Sequence, residues 1–176
     1  MEHITLPNLF FQKALENSDK PFLWAKRNKE WKSLSWHETE VRVKQVAAGL
    51  KYHGIMPGDK IIIVSENRPE WIISDLAINT LNAITVPAYV TNTEDDHRYI
   101  IEHSDAKAVI VSDNIIANRI ALALSKVNSC KLLITMDEYS GFMPEGLKVE
   151  SYEKLTQIGE ENISTALHNL NTIDKD

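Results

Sequence analysis

The sequence has 176 residues, 43% of them hydrophobic and 25% charged, which is typical of a globular protein with one large domain. Its 19 Lys and Arg against 25 Asp and Glu give a formal net charge of −6, which argues against a nucleic-acid binder, since such proteins concentrate Lys and Arg. The single cysteine, Cys130, excludes an intramolecular disulfide and, beside an apolar run, indicates a small core residue rather than a nucleophile.

No cationic stretch followed by an apolar region is present at the N-terminus, so a signal peptide is not predicted. The longest aliphatic run, Ile61–Val64, is far shorter than the roughly 20 residues that a membrane-spanning helix needs. We therefore expect a cytoplasmic protein without a transmembrane segment.

The first segment, residues 1–35, is predicted to hold a helix over 8–18 and a β-hairpin over 21–36. Two short apolar runs flank Asn28, a residue suited to a tight turn. Next, Ser35 with Glu38 forms a capping-box pattern that predicts the start of a helix.

The second segment, residues 36–136, is predicted to be a β-α-β core. The capped helix ends at Gly54, and the turn 56–59 leads into the first of four predicted strands, at 60–65, 84–89, 107–112 and 131–135. Helices are predicted to follow the first three strands, with caps at Asn67 before Pro69, at Thr93 with Asp96, and at Asp113. The inner stripe of the first of these helices is predicted to consist of Ile72, Leu76, Ala77 and Thr80. Strands alternating with helices predict an α/β fold with a mostly parallel sheet flanked by helices.

The third segment, residues 137–176, has a weaker pattern. Gly141, Pro144 and Gly146 predict a loop or short hairpin, 151–158 a short helix, and 160–176 a loosely held tail. No fifth strand of the sheet is predicted here.

Nucleotide-binding and hydrolase motifs are absent from the sequence. The six glycines form neither G-x-G-x-x-G nor a G-K-[ST] loop, and the strand-to-helix turn 65–68 has no glycine. No G-x-S-x-G elbow occurs either. We therefore predict no catalytic, cofactor-binding or metal-binding residue in this chain.

The densest group of candidate metal ligands is Glu94, Asp95, Asp96, His97, Glu102 and His103. His97 and His103 are six positions apart, which on a helix places them on different faces. The interpretation is a solvated helix face with acidic residues at its N-terminus. The remaining histidines, His3, His37, His53 and His168, are scattered and expected to be exposed.

Two alternative interpretations of the sequence remain, and the first is a receiver domain. Asp113 and Thr135 follow the third and fourth strands, where a receiver domain carries its phosphoacceptor and switch residues. Against this, 65–67 offers one carboxylate where Mg²⁺ needs a pair, and no fifth strand with its Lys is predicted. Asp113 is better explained as a helix cap.

The second reading concerns the tryptophans. Trp24, Trp31 and Trp36 cluster in the predicted hairpin and Trp71 begins a helix. Such residues usually cover one edge of a core, and the alternative is a binding groove.

Residues 36–113 resemble the N-terminal region of long-chain fatty acid–CoA ligases, in the adenylate-forming (AMP-binding) superfamily. The matching stretches, in order, are Trp36 and Glu38, 47–50, 54–59, 67–71, 75–77, 86–89, 91–93, 99–101 and 104–107. One departure is Asn82, where the family commonly has glycine, and the expected cost is local backbone strain.

The resemblance implies the N-terminal part of the large domain of an enzyme that forms an acyl-adenylate from ATP and a fatty acid and then transfers the acyl group to CoA. In the family these functions, with Mg²⁺, depend on a phosphate loop of the form YTSGTTGxPK, on later nucleotide-binding motifs and on a Lys of a mobile C-terminal domain. None has a matching position here, and 172–176 resemble the linker that leads into the phosphate loop.

We therefore expect the N-terminal portion of such a ligase, inactive alone and binding no cofactor itself, with ATP, Mg and CoA implied for the full-length enzyme. Its expected partners are the remainder of the synthetase, a fatty acid in the full-length enzyme, and another copy in a homo-oligomer. The alternative is a non-catalytic interaction module from a split gene that pairs with a partner fragment.

Overall fold

A computed structural model describes residues 5–166 of the chain. The elements in chain order are α1 Leu6–Asn17, β1 Pro21–Arg27, β2 Glu30–Ser35, α2 Trp36–Tyr52, β3 Lys60–Val64, α3 Pro69–Thr80, β4 Ile84–Pro87, α4 Glu94–Ser104, β5 Ala108–Val111, α5 Asn114–Ser125, β6 Leu132–Thr135, β7 Lys148–Ser151 and α6 Tyr152–Ala166.

Five parallel strands form the central sheet in the order β4-β3-β5-β6-β7. The aliphatic run Ile61–Val64 lies in β3 and is buried throughout, as expected of a strand covered on both faces. The predicted α/β class with a mostly parallel sheet flanked by helices is confirmed.

Helices cover the sheet in two layers, each with its own hydrophobic cluster. On one face, the cluster includes Phe10 of α1, Val46 of α2, Ile73 of α3 and Leu155 of α6. On the other face, α4 and α5 supply residues such as Ile101, Ile116 and Ile120.

The predicted hairpin is formed by β1 and β2, which pair antiparallel. Its turn uses Asn28 at φ 53° and Lys29 at φ 68°, the left-handed backbone that a two-residue hairpin turn requires. Trp36, the first residue of α2, stacks on Phe22 with 3.8 Å between ring centroids and thereby fixes the hairpin to the helical layer.

The capping predictions are confirmed except at α3. Both capping boxes are present, Ser35 with Glu38 and Thr93 with Asp96, and the Asp113 side chain caps α5 by accepting from the Ile116 backbone N–H. The predicted Asn67 cap is wrong: Arg68 occupies the N-cap position of α3 and makes no side-chain cap bond. Pro69 at the first helical position removes one of the N–H groups that a cap would satisfy.

Two further predictions concern single positions. Ile72, predicted on the inner stripe of α3, is partly exposed, while its neighbour Ile73 is fully buried. Asn82 adopts φ 55°, the left-handed backbone that glycine would tolerate most easily and that Asn tolerates better than most residues.

The region after residue 136 differs most from the prediction. A fifth strand, β7, joins the sheet beside β6 where a loop or short hairpin without a fifth strand was expected. Helix α6 continues to Ala166 instead of ending near 158, so 160–166 are helical rather than a loose tail. The tail predicted for 167–176 lies outside the described residues.

Helix α6 continues because it packs closely on α2. A Cβ at Gly49 would overlap the backbone oxygen of Leu155, and a Cβ at Gly159 would overlap that of Gln45. These two glycines let the helix backbones approach, and Lys51 Nζ donates to the Ala166 carbonyl oxygen at 2.6 Å.

Within residues 5–166 no helix is long and apolar enough to cross a membrane.

Candidate functional site at the carboxyl ends of the strands

The most suitable place for a ligand is the edge where the parallel strands end. In sheets whose strand order reverses, ligands bind outside the carboxyl ends near the reversal. Here β3 lies between β4 and β5, so the order reverses at β3. The segments that meet there are 65–68 after β3, Ser112 and Asp113 after β5, and Met136 and Asp137 after β6.

Arg68 connects these strand ends. Its Nη1 donates to Asp137 Oδ1 at 3.1 Å and to the Ser112 carbonyl oxygen at 3.4 Å. Its Nε donates to Glu70 Oε2 at 2.9 Å, and Arg27 of the hairpin donates to the other oxygen of Glu70 at 2.5 Å. One guanidinium thus links three parallel strands, and one carboxylate links the hairpin to α3.

Glu70 is ionised in this setting. Burial by itself favours the neutral acid, but the hydrogen bonds and charges of Arg68 and the charge of Arg27 outweigh it and hold the pKa of Glu70 below its usual value. Because both arginines bind Glu70, the network serves to hold elements together more than to attract a free anion.

A groove runs between the hairpin and the start of α3, and we call it the hairpin–α3 groove. It comprises an apolar pocket of about 220 Å³ and a more polar one of about 560 Å³, which share Trp24 and 67–69. Trp71 lines the first pocket and Trp31 the second. Trp24 and Trp31 are 56% and 66% exposed. The structure therefore brings three of the four tryptophans to one groove and leaves Trp36 at the edge of the core.

Within residues 5–166, the strand ends lack the groups that commonly hold ATP and Mg²⁺. The turn 65–68 has no glycine to bring backbone N–H groups onto a phosphate, and Asp137 is paired with Arg68. Among residues 5–166 no three His, Cys, Asp or Glu side chains are grouped to hold a metal ion. The described residues do not fit these ligands, and no catalytic step is assigned to them.

The hypothesis of a receiver domain requires a fifth strand and a free phosphoacceptor carboxylate at Asp113. The fifth strand exists as β7, contrary to prediction. However, the carboxylate of Asp113 is used as a helix cap, with Ile116 N–H donating to Oδ1 at 2.9 Å. Glu66 remains the single carboxylate in the 65–67 turn, where Mg²⁺ would need a pair.

Two histidines that were expected on the surface are buried. His97, predicted on a solvated face, is 1% exposed, because its side of α4 faces α5, whereas Asp95 and Asp96 in the first turn are exposed. The His53 side chain is 5% exposed and lies against β7, the strand that was not predicted. Burial first, and a neighbouring cation second, lower the pKa of each ring: Arg119 for His97 and Lys148 for His53. His37 is exposed as expected, and His3 and His168 lie outside the described residues.

Cys130 is confirmed as a core residue. Its side chain is fully buried, and burial raises the pKa of the thiol to about 11. A thiol so far from ionisation is a poor nucleophile.

Comparison with known proteins decides the family. Residues 10–167 match the family model described as "AMP-binding enzyme". The chain belongs to the AMP-binding enzyme family. The resemblance seen in residues 36–113 is thereby confirmed over most of the chain.

Curated relatives of this AMP-binding protein carry ligase names. Long-chain-fatty-acid–CoA ligase 6 of Rattus norvegicus is 30% identical over 168 residues, covering 89% of this chain and 22% of that protein. The Homo sapiens ligase of the same name is 32% identical over 141 residues, covering 73% of this chain and 20% of that protein. The peroxisomal long chain acyl-CoA synthetase 7 of Arabidopsis thaliana is 25% identical over 139 residues, covering 76% of this chain and 20% of that protein. The AMP-binding chain thus spans about a fifth of these relatives' length.

Solved structures agree on the fold. The adenylation domain of a carboxylate reductase from Mycobacterium chelonae superimposes with a TM-score of 0.77 at 16% identity, over 92% of this chain and 30% of that one. A benzoate CoA ligase from Burkholderia xenovorans LB400 gives a TM-score of 0.68 at 22% identity, over 86% of this chain and 28% of that one.

The Arg68–Glu70 network was missed by sequence reasoning. Its residues lie in the run 67–71, which was recognised only for its resemblance to the family. Nothing in that run reveals that Asp137 and Arg27, distant in sequence, will meet it.

Proposed function

We propose that the chain is the N-terminal portion of an ATP-dependent long-chain fatty acid–CoA ligase. The observation that carries the proposal is the 30–32% identity to long-chain-fatty-acid–CoA ligases over most of the chain. In the reaction, the fatty acid carboxylate attacks the α-phosphorus of ATP and pyrophosphate leaves. The CoA thiol then attacks the acyl carbonyl of the adenylate and AMP leaves.

The role proposed for these residues is to build part of the large domain. The sheet and its two helical layers provide a fixed frame, and Arg68 ties three strand ends where further segments of the domain would pack. ATP, Mg²⁺ and CoA would be bound by the full-length enzyme, and the fatty acid would be its substrate. We further propose a cytoplasmic location and contacts with the remainder of the synthetase and with another copy of it.

We propose that residues 1–176 alone form no acyl-adenylate, because the sequence contains no stretch like YTSGTTGxPK. The test is ATP–pyrophosphate exchange with palmitate as the acid. Exchange by residues 1–176 above the no-enzyme blank would overturn the inactivity. Where the reading frame continues beyond the Asp176 codon, fatty-acid-dependent exchange is expected of the full-length protein that it encodes. Its absence with every long-chain acid tried would overturn the ligase proposal.

The alternative is an interaction module that pairs with a separately encoded fragment. The observation favouring it is the exposure of Trp24 and Trp31 in the hairpin–α3 groove. A stop codon directly after Asp176 would support it, together with self-association or binding of a hydrophobic dye. A monodisperse monomer that binds no dye would contradict the pairing.

A further inference from the structure

The amino-terminal edge of the sheet carries a lysine at or just before the start of four of its five strands. These are Lys60 in β3, Lys107 before β5, Lys131 before β6 and Lys148 in β7. This edge is opposite the strand ends that hold Arg68, so its chemistry is independent of the ligase proposal.

Sheet register brings the lysines close together. The Lys107 backbone N–H donates to the Lys60 carbonyl at 2.9 Å, and the Lys148 N–H donates to the Lys131 carbonyl at 2.9 Å. Neighbouring strands lie about 4.8 Å apart. Like charges on adjacent strands repel and reduce stability, so this arrangement has a cost without a bound anion.

Three of the lysines line one open pocket. Lys107, Lys131 and Lys148, with His53 and Asp59, surround a volume of about 510 Å³, which we call the lysine pocket. That volume exceeds what a single carboxylate or chloride would fill.

Three carboxylates lie near the four lysines of this edge, which leaves one positive charge in excess. Asp59 lines the pocket, Asp105 pairs with Lys107 at 2.9 Å, and Glu150 lies 3.8 Å from Lys148. Lys131 has no carboxylate within 4.0 Å among residues 5–166.

His53 adds a buried group that lacks a hydrogen-bond partner. Its Nδ1 lies 3.2 Å from Lys148 Nζ, which can only donate, so the neutral ring accepts there and carries its proton on Nε2. Nε2 is buried and has no hydrogen-bond partner within the described part of the chain; the nearest carboxylate oxygen, on Glu150, is 3.7 Å away. A buried donor left unpaired costs free energy that a bound acceptor would recover.

We infer that the lysine pocket binds a small phosphate-bearing anion with several negative charges, of the pyrophosphate class. Ammonium groups are point-charge donors suited to phosphate oxygens, and a bound anion would relieve the repulsion between the strands. The competing explanation is that the lysines only balance the negative ends of α2, α4 and α5, which also meet at this edge, and it predicts no binding.

The test is calorimetric titration of the chain with inorganic pyrophosphate at physiological ionic strength. Saturable binding is expected for the natural sequence, and about a tenfold or greater loss of affinity for K131A/K148A. The matched control, K32A/K154A, removes two exposed lysines in β2 and α6, away from the pocket, and should keep the natural affinity.

A second variant and a second signal keep the test decisive. K131R/K148R retains the charge and should retain binding, and pyrophosphate should shift the ring NMR signals of His53. Parallel titrations with ATP and with vesicles containing phosphatidic acid distinguish a soluble phosphate from a lipid headgroup as the source. No saturable binding of pyrophosphate, or an equal loss in K32A/K154A, would overturn the inference.

Discussion

The hydroxyl of Tyr152 makes a buried polar contact between α3 and α6. It lies 3.0 Å from Ser74 Oγ and 3.4 Å from the Glu70 carbonyl oxygen. Burial raises the pKa of this phenol well above its usual value, so the hydroxyl stays protonated and can donate.

Removing that hydroxyl should destabilise the chain. In Tyr152→Phe the buried Ser74 hydroxyl loses its tyrosine partner, and we expect the free energy of unfolding to fall by about 1–2 kcal/mol. Urea denaturation followed by circular dichroism measures the change.

The double variant Y152F/S74A supplies the control. Since both partners of the bond are then absent, its loss should be clearly smaller than the sum of the two single losses. Additive losses would show that the two hydroxyls do not interact.

Glu70 gives the chain an acid-sensitive component of stability. Its pKa is lowered in the folded state: burial opposes the shift, but Arg68 and Arg27 outweigh burial. The stabilisation is therefore complete above the unfolded value, near pH 4.3, and is lost as pH falls through the lower folded value.

In Glu70→Gln the charge-assisted bonds to two arginines are weakened. We expect a loss of about 1.5–3 kcal/mol at neutral pH. The difference from the natural sequence should shrink as pH falls below about 4.3, where Glu70 of the unfolded chain begins to bind its proton while folded Glu70 still lacks one. Urea midpoints measured between neutral pH and pH 3 test this, and a pH-independent difference would contradict it.

At the scale of elements, the contact between α2 and α6 depends on glycine. A Cβ at position 159 would lie far inside van der Waals contact with the Gln45 carbonyl, which is backbone and cannot rotate away.

We expect Gly159→Ala to lower stability by roughly 2–3 kcal/mol, through strain against a close-packed backbone. An exposed helical glycine would show the opposite sign, because alanine is the better helix former. Thermal unfolding of G159A beside Ser164→Ala, an exposed position of the same helix, separates strain from propensity. Equal stability of G159A and the natural chain would contradict the close packing.

The elements between residues 36 and 136 could be predicted because their signals are local. An aliphatic run is enough for β3, and a side-chain cap is enough to locate α4 and α5. In β7 the residues are Lys-Val-Glu-Ser, with no aliphatic run, and the strand exists because β6 supplies its pairing partner. Helix α6 was underestimated because its buried positions include Gly159, which hydrophobic periodicity does not count.

The candidate sites could not be predicted for the same reason. Arg68, Asp137 and Arg27 meet only when three strand ends and the hairpin are assembled. His53 and His97 look like surface residues in sequence because each is buried by an element distant along the chain.

For the whole molecule, these two histidines predict a loss of stability under mildly acidic conditions. Burial and neighbouring cations lower the pKa of both rings in the folded state. Between the unfolded value near 6.5 and the lower folded values, the unfolded chain binds more protons. Stability should therefore be complete above about pH 6.5 and fall as pH decreases.

The expected slope is up to about 1.4 kcal/mol per pH unit for each histidine. Urea midpoints between pH 7.5 and 5.5 measure it, a range above the titration of the carboxylates. H53Q and H97Q should each remove part of the slope. A flat profile for the natural sequence would show that the rings are protonated as readily in the folded state as in the unfolded one.

The packing of α6 on α2 also has a consequence for folding during synthesis. This packing brings Lys51 into contact with Ala166, which is 115 positions later in the chain. While the ribosome synthesises the intervening strands, the glycine side of α2 has nothing to cover it. The nascent chain must therefore shield this surface by other means until the last described helix has left the exit tunnel, and that interval is when it is most open to chaperones and to aggregation.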